Sequence, residues 1–218
     1  MADAPIHVRD LGVDVDYDEA LELQMDLVRQ RQADDIPDQL LVLQHRPVIT
    51  IPRERATQHL LITEVEAQKQ GLQIRRTNRG GDITYHGPGQ WVLYPIVKLQ
   101  TEERDVRKYV RCLEQAMIEV CAGYGVNAGR KDGLTGCWVG NAKIGAIGVR
   151  FSRWVASHGL AFNADAHLEH FRFIIPCGLS DKQVCSLASL GHPTEGVAHK
   201  LTAAVSRQLN RHPFARPS

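Results

Sequence analysis

No stretch of this 218-residue chain approaches the ~20 consecutive apolar residues that a membrane-spanning helix needs. The N-terminal run "MADAPIHVRD" has neither a basic n-region nor an apolar h-region, so a cytoplasmic protein without a secretory signal is expected. The cysteines are Cys112, Cys121, Cys137, Cys177 and Cys185, an odd number with no CxxC pair. That argues against a disulfide framework and a structural zinc site and for reduced thiols. A formal charge of +1 argues against general nucleic-acid binding and leaves room only for a local basic site, such as Arg75, Arg76 and Arg79.

What is present is ordinary for a globular protein, with 43% hydrophobic and 23% charged residues. The length suits a single domain spanning 1–218. Strands are expected at 5–13, at 39–51 with a break at Pro47, at 72–77 and from Trp91 onward. Helical spacing marks 17–33, 62–71, 105–122 and 195–210, with Asp105 and Thr194 as caps. Residues 136–164 read as two or three strands with turns at Gly140-Asn141 and near Ser152-Arg153, and the last residues as a loose tail. Elements in mixed order, without a βα repeat, indicate an α+β fold with a mixed or mostly antiparallel sheet.

The segment "RGGDITYHGPGQ" (79–90) is too polar and glycine-rich for a strand interior. It matches neither GxxxxGK[ST] nor GxGxxG, which counts against a phosphate cradle. It remains a plain turn or the wall of a pocket in which a ligand lies against glycine backbone. Cys177 ends the apolar run "FIIP" and precedes Gly178. It is either a core thiol or a thiol facing a cleft, with the N–H groups of Gly178 and Leu179 as oxyanion donors. Cys112, Cys121 and Cys137 read as packing residues, and Cys185 as an exposed loop thiol. Lys143 interrupts a strand of glycine and apolar residues, and alternation places it on one face with Gly145 and Ile147. It is an edge-strand lysine or a group facing a ligand that Gly145 and Gly148 admit. His86 and His158 are each a base, a hydrogen-bond donor or a loop-ordering residue. His167 and His170 lack a third partner, so no metal site is assigned.

Taken together, "RGGDITYHGPGQWVLYP", "GNAKIGAIGVR", "HGLAFN" and "IIPCGL" resemble the octanoyltransferases of lipoate biosynthesis. The resemblance implies the fold of biotin and lipoate protein ligase catalytic domains, with mixed, mainly antiparallel sheets flanked by helices. It implies transfer of an octanoyl (or lipoyl) group from the thioester of acyl carrier protein to a lysine of a lipoyl domain. The acceptors would be lipoyl domains of 2-oxoacid dehydrogenase complexes and glycine cleavage H protein. By motif, Cys177 matches the thioester-forming nucleophile and Lys143 the lysine that lowers its pKa. Arg79, Gly80, Gly81, Asp82, Ile83, Thr84, Tyr85, His86, Ala146, Ile147, Gly148, Gly159, Leu160 and Ala161 match the acyl-substrate contacts, with His158 and Gly178 as support. No cofactor, metal, nucleic acid or membrane is implied, and no ATP, since transfer from a thioester to an amine is downhill. Arg75, Arg76, Arg79, Arg150 and Arg153 are candidates for a basic rim facing acidic partners. The rivals are an ATP-dependent lipoate or biotin ligase, an amidotransferase between carrier proteins, and a non-catalytic carrier-binding module.

Overall fold

The computed structural model describes residues 4–52, 54–175 and 183–214. The chain runs β1 (Ala4–Val15), α1 (Tyr17–Gln32), β2 (Asp38–His45), β3 (Val48–Ile51), α2 (Glu64–Lys69), β4 (Gln73–Arg76), β5 (Thr84–His86) and β6 (Gln90–Ile96). It continues through α3 (Val106–Ala122), β7 (Gly129–Lys131), β8 (Leu134–Val139), β9 (Ala142–Ser152), β10 (Val155–Asn163), β11 (Gln183–Val184), α4 (Val197–Gln208) and β12 (Arg211–Phe214).

The large sheet has the order β12-β1-β2-β6-β10-β9-β8-β7, with β11 added beside β9, and the small one β4-β3-β5. Pairings are mixed and mainly antiparallel, as expected. Helix α1 covers one face of the large sheet, packing Ala20, Leu27 and Val28 on Leu41, Leu43 and Val92. Helices α3 and α4 cover the other, where Leu40, Val42 and Leu93 meet Leu113, Met117 and Leu201. Burial on both faces explains why "LLVL" in β2 shows no polar alternation. A third core, around Ile49, Ile83 and Tyr85, fills the small sheet. Among the described residues no helix is long and apolar enough to cross a membrane.

Several boundaries follow local chemistry. Asp16 caps α1, Asp105 caps α3, and Thr63 with Glu66 forms a capping box on α2. Four expectations need correction. The run 39–51 is two strands in different sheets, because the break at Pro47 lets the chain leave the large sheet after His45. Helix α4 is capped by Gly196, with φ +73, and Thr194 contributes only its carbonyl to the Val197 N–H. The tail is ordered through Phe214. There β12 covers the edge of β1, and buried Arg211 bonds Asp38 at 2.6 Å and Glu103 at 2.8 Å. The turn after β9 uses Arg153 and Trp154, both at positive φ (47 and 62), where glycine or asparagine would be the usual choice.

Candidate active site

A cavity of about 600 Å³ lies between the small sheet with its 79–86 loop and the inner strands β9, β10 and β6. At its open end stand Gln58, His59, Asp82, Leu134, Thr135 and Lys143. At its closed end are Tyr17, His86, Gln90, Tyr94 and His158, all buried. Ile83, Ile147, Leu160, Ala161 and Phe171 contribute to the walls.

Lys143 reaches the cavity through a fault in the sheet. Strand β8 pairs Cys137 with Gly145 but Trp138 with Lys143, so β9 carries one extra residue. The bulge changes which residues share a face. Ile144 and Ile147 both pack into the core under α3, and a Cβ on Gly145 would run into the Met117 sulfur. Lys143 is turned away from that core, correcting the alternation that grouped it with Gly145 and Ile147. Its Nζ sits 4.8 Å from the centre of the Trp138 ring, which Lys131 approaches at 5.5 Å.

The glycines serve protein packing more than ligand approach. Gly145 yields to Met117, and a Cβ at Gly148 would fall 2.8 Å from the Gly80 carbonyl oxygen. Gly148 thus lets the 79–81 loop close on β9, where the Gly80 N–H donates to the Val149 carbonyl at 2.9 Å. Arg79 ties that loop to β3, donating to the Thr50 carbonyl and hydroxyl at 3.1 and 2.8 Å. It is buried, so it is not part of a basic rim, and Arg75 is engaged with Asp18 at 2.7 Å. Arg76, Arg150 and Arg153 are exposed.

The closed end is a connected set of rings. His45 lies 5.7 Å from His86 and 5.8 Å from Tyr94, and Tyr94 lies 6.2 Å from His158, centre to centre. Hydrogen bonds define the tautomers. Gln90 donates its amide to the Tyr85 carbonyl and to Asn163, so its oxygen accepts from His86 Nδ1 at 2.7 Å. His86 Nε2 is then an acceptor. His45 donates Nδ1–H to the Val15 carbonyl at 3.1 Å and accepts from the Tyr94 hydroxyl at 2.8 Å. His158 donates Nε2–H to Asn78 at 2.8 Å, leaving Nδ1 as a buried acceptor without a partner among the described residues. Burial pushes the imidazole of His45 down to about 4 and that of His158 down to about 3. His86 is also held well below the ordinary value, by burial first and by His45 and Arg79 after it. All three are neutral at pH 7, and a floor of neutral rings is what a desolvated pocket end allows.

Of the acyl contacts expected from sequence, Arg79, Gly81, Asp82, Ile83, Thr84, His86, Ala146, Ile147, Gly148, Gly159, Leu160 and Ala161 line the cavity. Gly80 and Tyr85 are set back from it. Gly80 bonds β9, and Tyr85 is packed in the small core with its hydroxyl on His170 at 2.9 Å. Cys177, Gly178 and Leu179 lie outside the described residues. The segment before them is a 3-10 turn (Leu168–Phe173). Cys185 is buried rather than exposed, and burial pushes its thiol up to about 11. Nothing local in the sequence marks Tyr17, His45, Trp138 or the His59–Asp82 pair as part of a site. The 3.0 Å contact of His59 with Asp82 at the cavity wall joins residues far apart in the chain, so no local pattern announces it.

A family profile described as the lipoyl protein ligase A/B catalytic domain matches residues 16–207. The chain is 50% identical over 184 residues to a protein of Solibacter usitatus named octanoyltransferase, covering 84% of this chain and 83% of the relative. It is 47% identical over 197 residues to an octanoyltransferase of Chloroflexus aggregans, covering 88% of this chain and 89% of that one. Among solved structures, a bi-partite lipoate protein ligase from Thermoplasma acidophilum superposes with a TM-score of 0.72 at 13% identity, over 100% of this chain and 89% of the other. The biotin protein ligase of Aquifex aeolicus gives 0.52 at 13% identity, over 93% of this chain and 68% of its own. At such identities the two ligases support the fold alone.

Proposed function

This chain belongs to the lipoyl protein ligase A/B catalytic domain family, and on that premise we propose that it is an octanoyltransferase working as one domain through a Cys177 thioester. Octanoyl transfer in protein lipoylation is the activity its relatives are named for. In the first half-reaction the Cys177 thiolate attacks the octanoyl thioester of an acyl carrier protein. The new thioester forms as the carrier's thiolate leaves and takes up a proton. In the second, the amine of a lipoyl-domain lysine attacks that thioester, the amide forms, Cys177 departs as thiolate and the amine gives up a proton. The octanoyl chain occupies the cavity, with its carbonyl at the Lys143 end.

The observation that carries this reading is the anchoring of both flanks of the Cys177 segment at the open end. On one side the Ile175 N–H donates to the carbonyl of cavity-lining His59 at 2.8 Å. On the other, Val184 pairs with Lys143 in the parallel β9–β11 ladder. The described thiols are poor rivals. Burial pushes up those of Cys112 and Cys185, and a hydrogen bond with Cys121, then burial, pushes up that of Cys137. Lys143 on its Trp138 face supplies the positive charge that favours a nearby thiolate. Exposed Arg76, Arg150 and Arg153 suit acidic protein partners, and the unpaired described cysteines suit a reducing cytoplasm.

The test is incubation with octanoyl-acyl carrier protein, without ATP, followed by peptide mass spectrometry. An octanoyl group on Cys177 that chases onto a lipoyl domain is expected. No adduct on any cysteine, with transfer appearing only when ATP and free octanoate are supplied, would replace this reading with that of a ligase.

A further inference from the structure

We propose that the closed end of the cavity sets an upper limit on acyl chain length, with His158 as the residue that enforces it. This rests on the acyl-transfer reading of the same cavity.

The cavity changes character along its depth. Ile83, Ala161 and Phe171 offer an alkyl chain apolar surface. A second region of the lining is polar and buried, made of Tyr17, His86, Tyr94 and His158. Each methylene seated in the first region leaves water for an apolar contact. A methylene pushed into the second region meets the buried Nδ1 of His158, which it cannot satisfy. Discrimination between chain lengths therefore arises at this boundary.

His158 is placed there at a backbone cost. Its φ is +55, a region uncommon for residues with a Cβ. In β10 its neighbours Ala156, Leu160 and Phe162 point into the core under α3 and α4. Ordinary alternation would send His158 the same way, since its partner across the ladder, Val149, packs against that core. Instead its ring meets Tyr94, whose side chain belongs to the opposite face, and bonds Asn78. The backbone is twisted to bring a polar ring to the cavity floor, where its Nδ1 is buried without a partner among the described residues. An apolar residue would serve a purely structural role at such a position with less desolvation cost.

The experiment is single-turnover acylation with octanoyl- and dodecanoyl-acyl carrier protein, read as the ratio of the two acylation rates by intact-protein mass spectrometry. The ratio within one preparation is independent of the fraction of enzyme that is folded. In His158→Met the preference for octanoyl is expected to fall about ten-fold. Tyr17→Phe, which keeps its ring and loses the hydroxyl that donates to Thr77 at 2.8 Å, should move it the same way by less, and it decides the matter if His158→Met does not fold. Acylation of both variants with a ratio within about two-fold of the parent overturns the limit while the transfer reading stands. No acylation of the parent protein by either chain removes both.

Discussion

At the open end of the cavity Lys143 stands half-buried against Trp138, whereas at the closed end His86, Tyr94 and His158 are nearly inaccessible. The first region holds a cation near solvent and close to where the chain resumes after the Cys177 segment. In the second, burial keeps the histidines neutral. Both depend on a departure from regular strand geometry, a bulge in β9 and a positive φ in β10. One departure turns Lys143 toward the open end of the cavity and the other turns His158 toward its closed end.

The contrast breaks most sharply at the open end. Lys143→Ala is expected to lower kcat/KM for octanoyl transfer by roughly 10²- to 10⁴-fold, with the thermal midpoint little changed. Its companion reading is the iodoacetamide rate of Cys177 against pH, which should shift to higher pH in the variant. An unshifted profile would remove Lys143 from thiolate activation.

The closed end should show itself as acid sensitivity. His45 titrates near 6.5 when unfolded and at about 4 when folded. The unfolded chain therefore binds its proton first as the pH falls. Stability from the neutral, buried ring is complete above pH 6.5 and is lost progressively down to about 4, by about 3 kcal/mol for His45 alone. Thermal melts between pH 7.5 and 4 should show the decline, and His45→Gln, whose amide can replace both hydrogen bonds, should flatten it. An equally steep decline in that variant would place the sensitivity elsewhere.

The smallest effect expected is at Trp138→Phe, where a weaker π-face stays beside Lys143. A loss of about two- to five-fold in kcat/KM, with the Cys177 alkylation profile moving in the same direction as in Lys143→Ala, would confirm the ring as a positioning partner. A loss of activity with that profile unmoved would reduce Trp138 to packing.

Much of this was legible in the chain. The α3 stripe, its Asp105 cap, the strand-rich region 136–164 and the motif segments all fall where local pattern puts them. The exceptions share a cause. Cys185 looked exposed because its neighbours are polar, yet β11 carries it under the sheet. Lys143 looked like a residue of the Gly145 face because period-2 counting cannot register a bulge. Tyr85 looked like a substrate contact because it sits inside the motif, yet small-sheet packing turns it inward.

Sequence by itself determined the family, the mixed α+β architecture and the candidate chemical groups, because helical periodicity, caps and motif spacing are local properties. Only the tertiary structure decided which glycines serve packing, which face Lys143 takes, and that residues as distant as Tyr17, His45, Tyr94 and His158 form one neutral polar floor. Those depend on ladder register and on burial from both sides of the sheet, which arise only when separate strands meet.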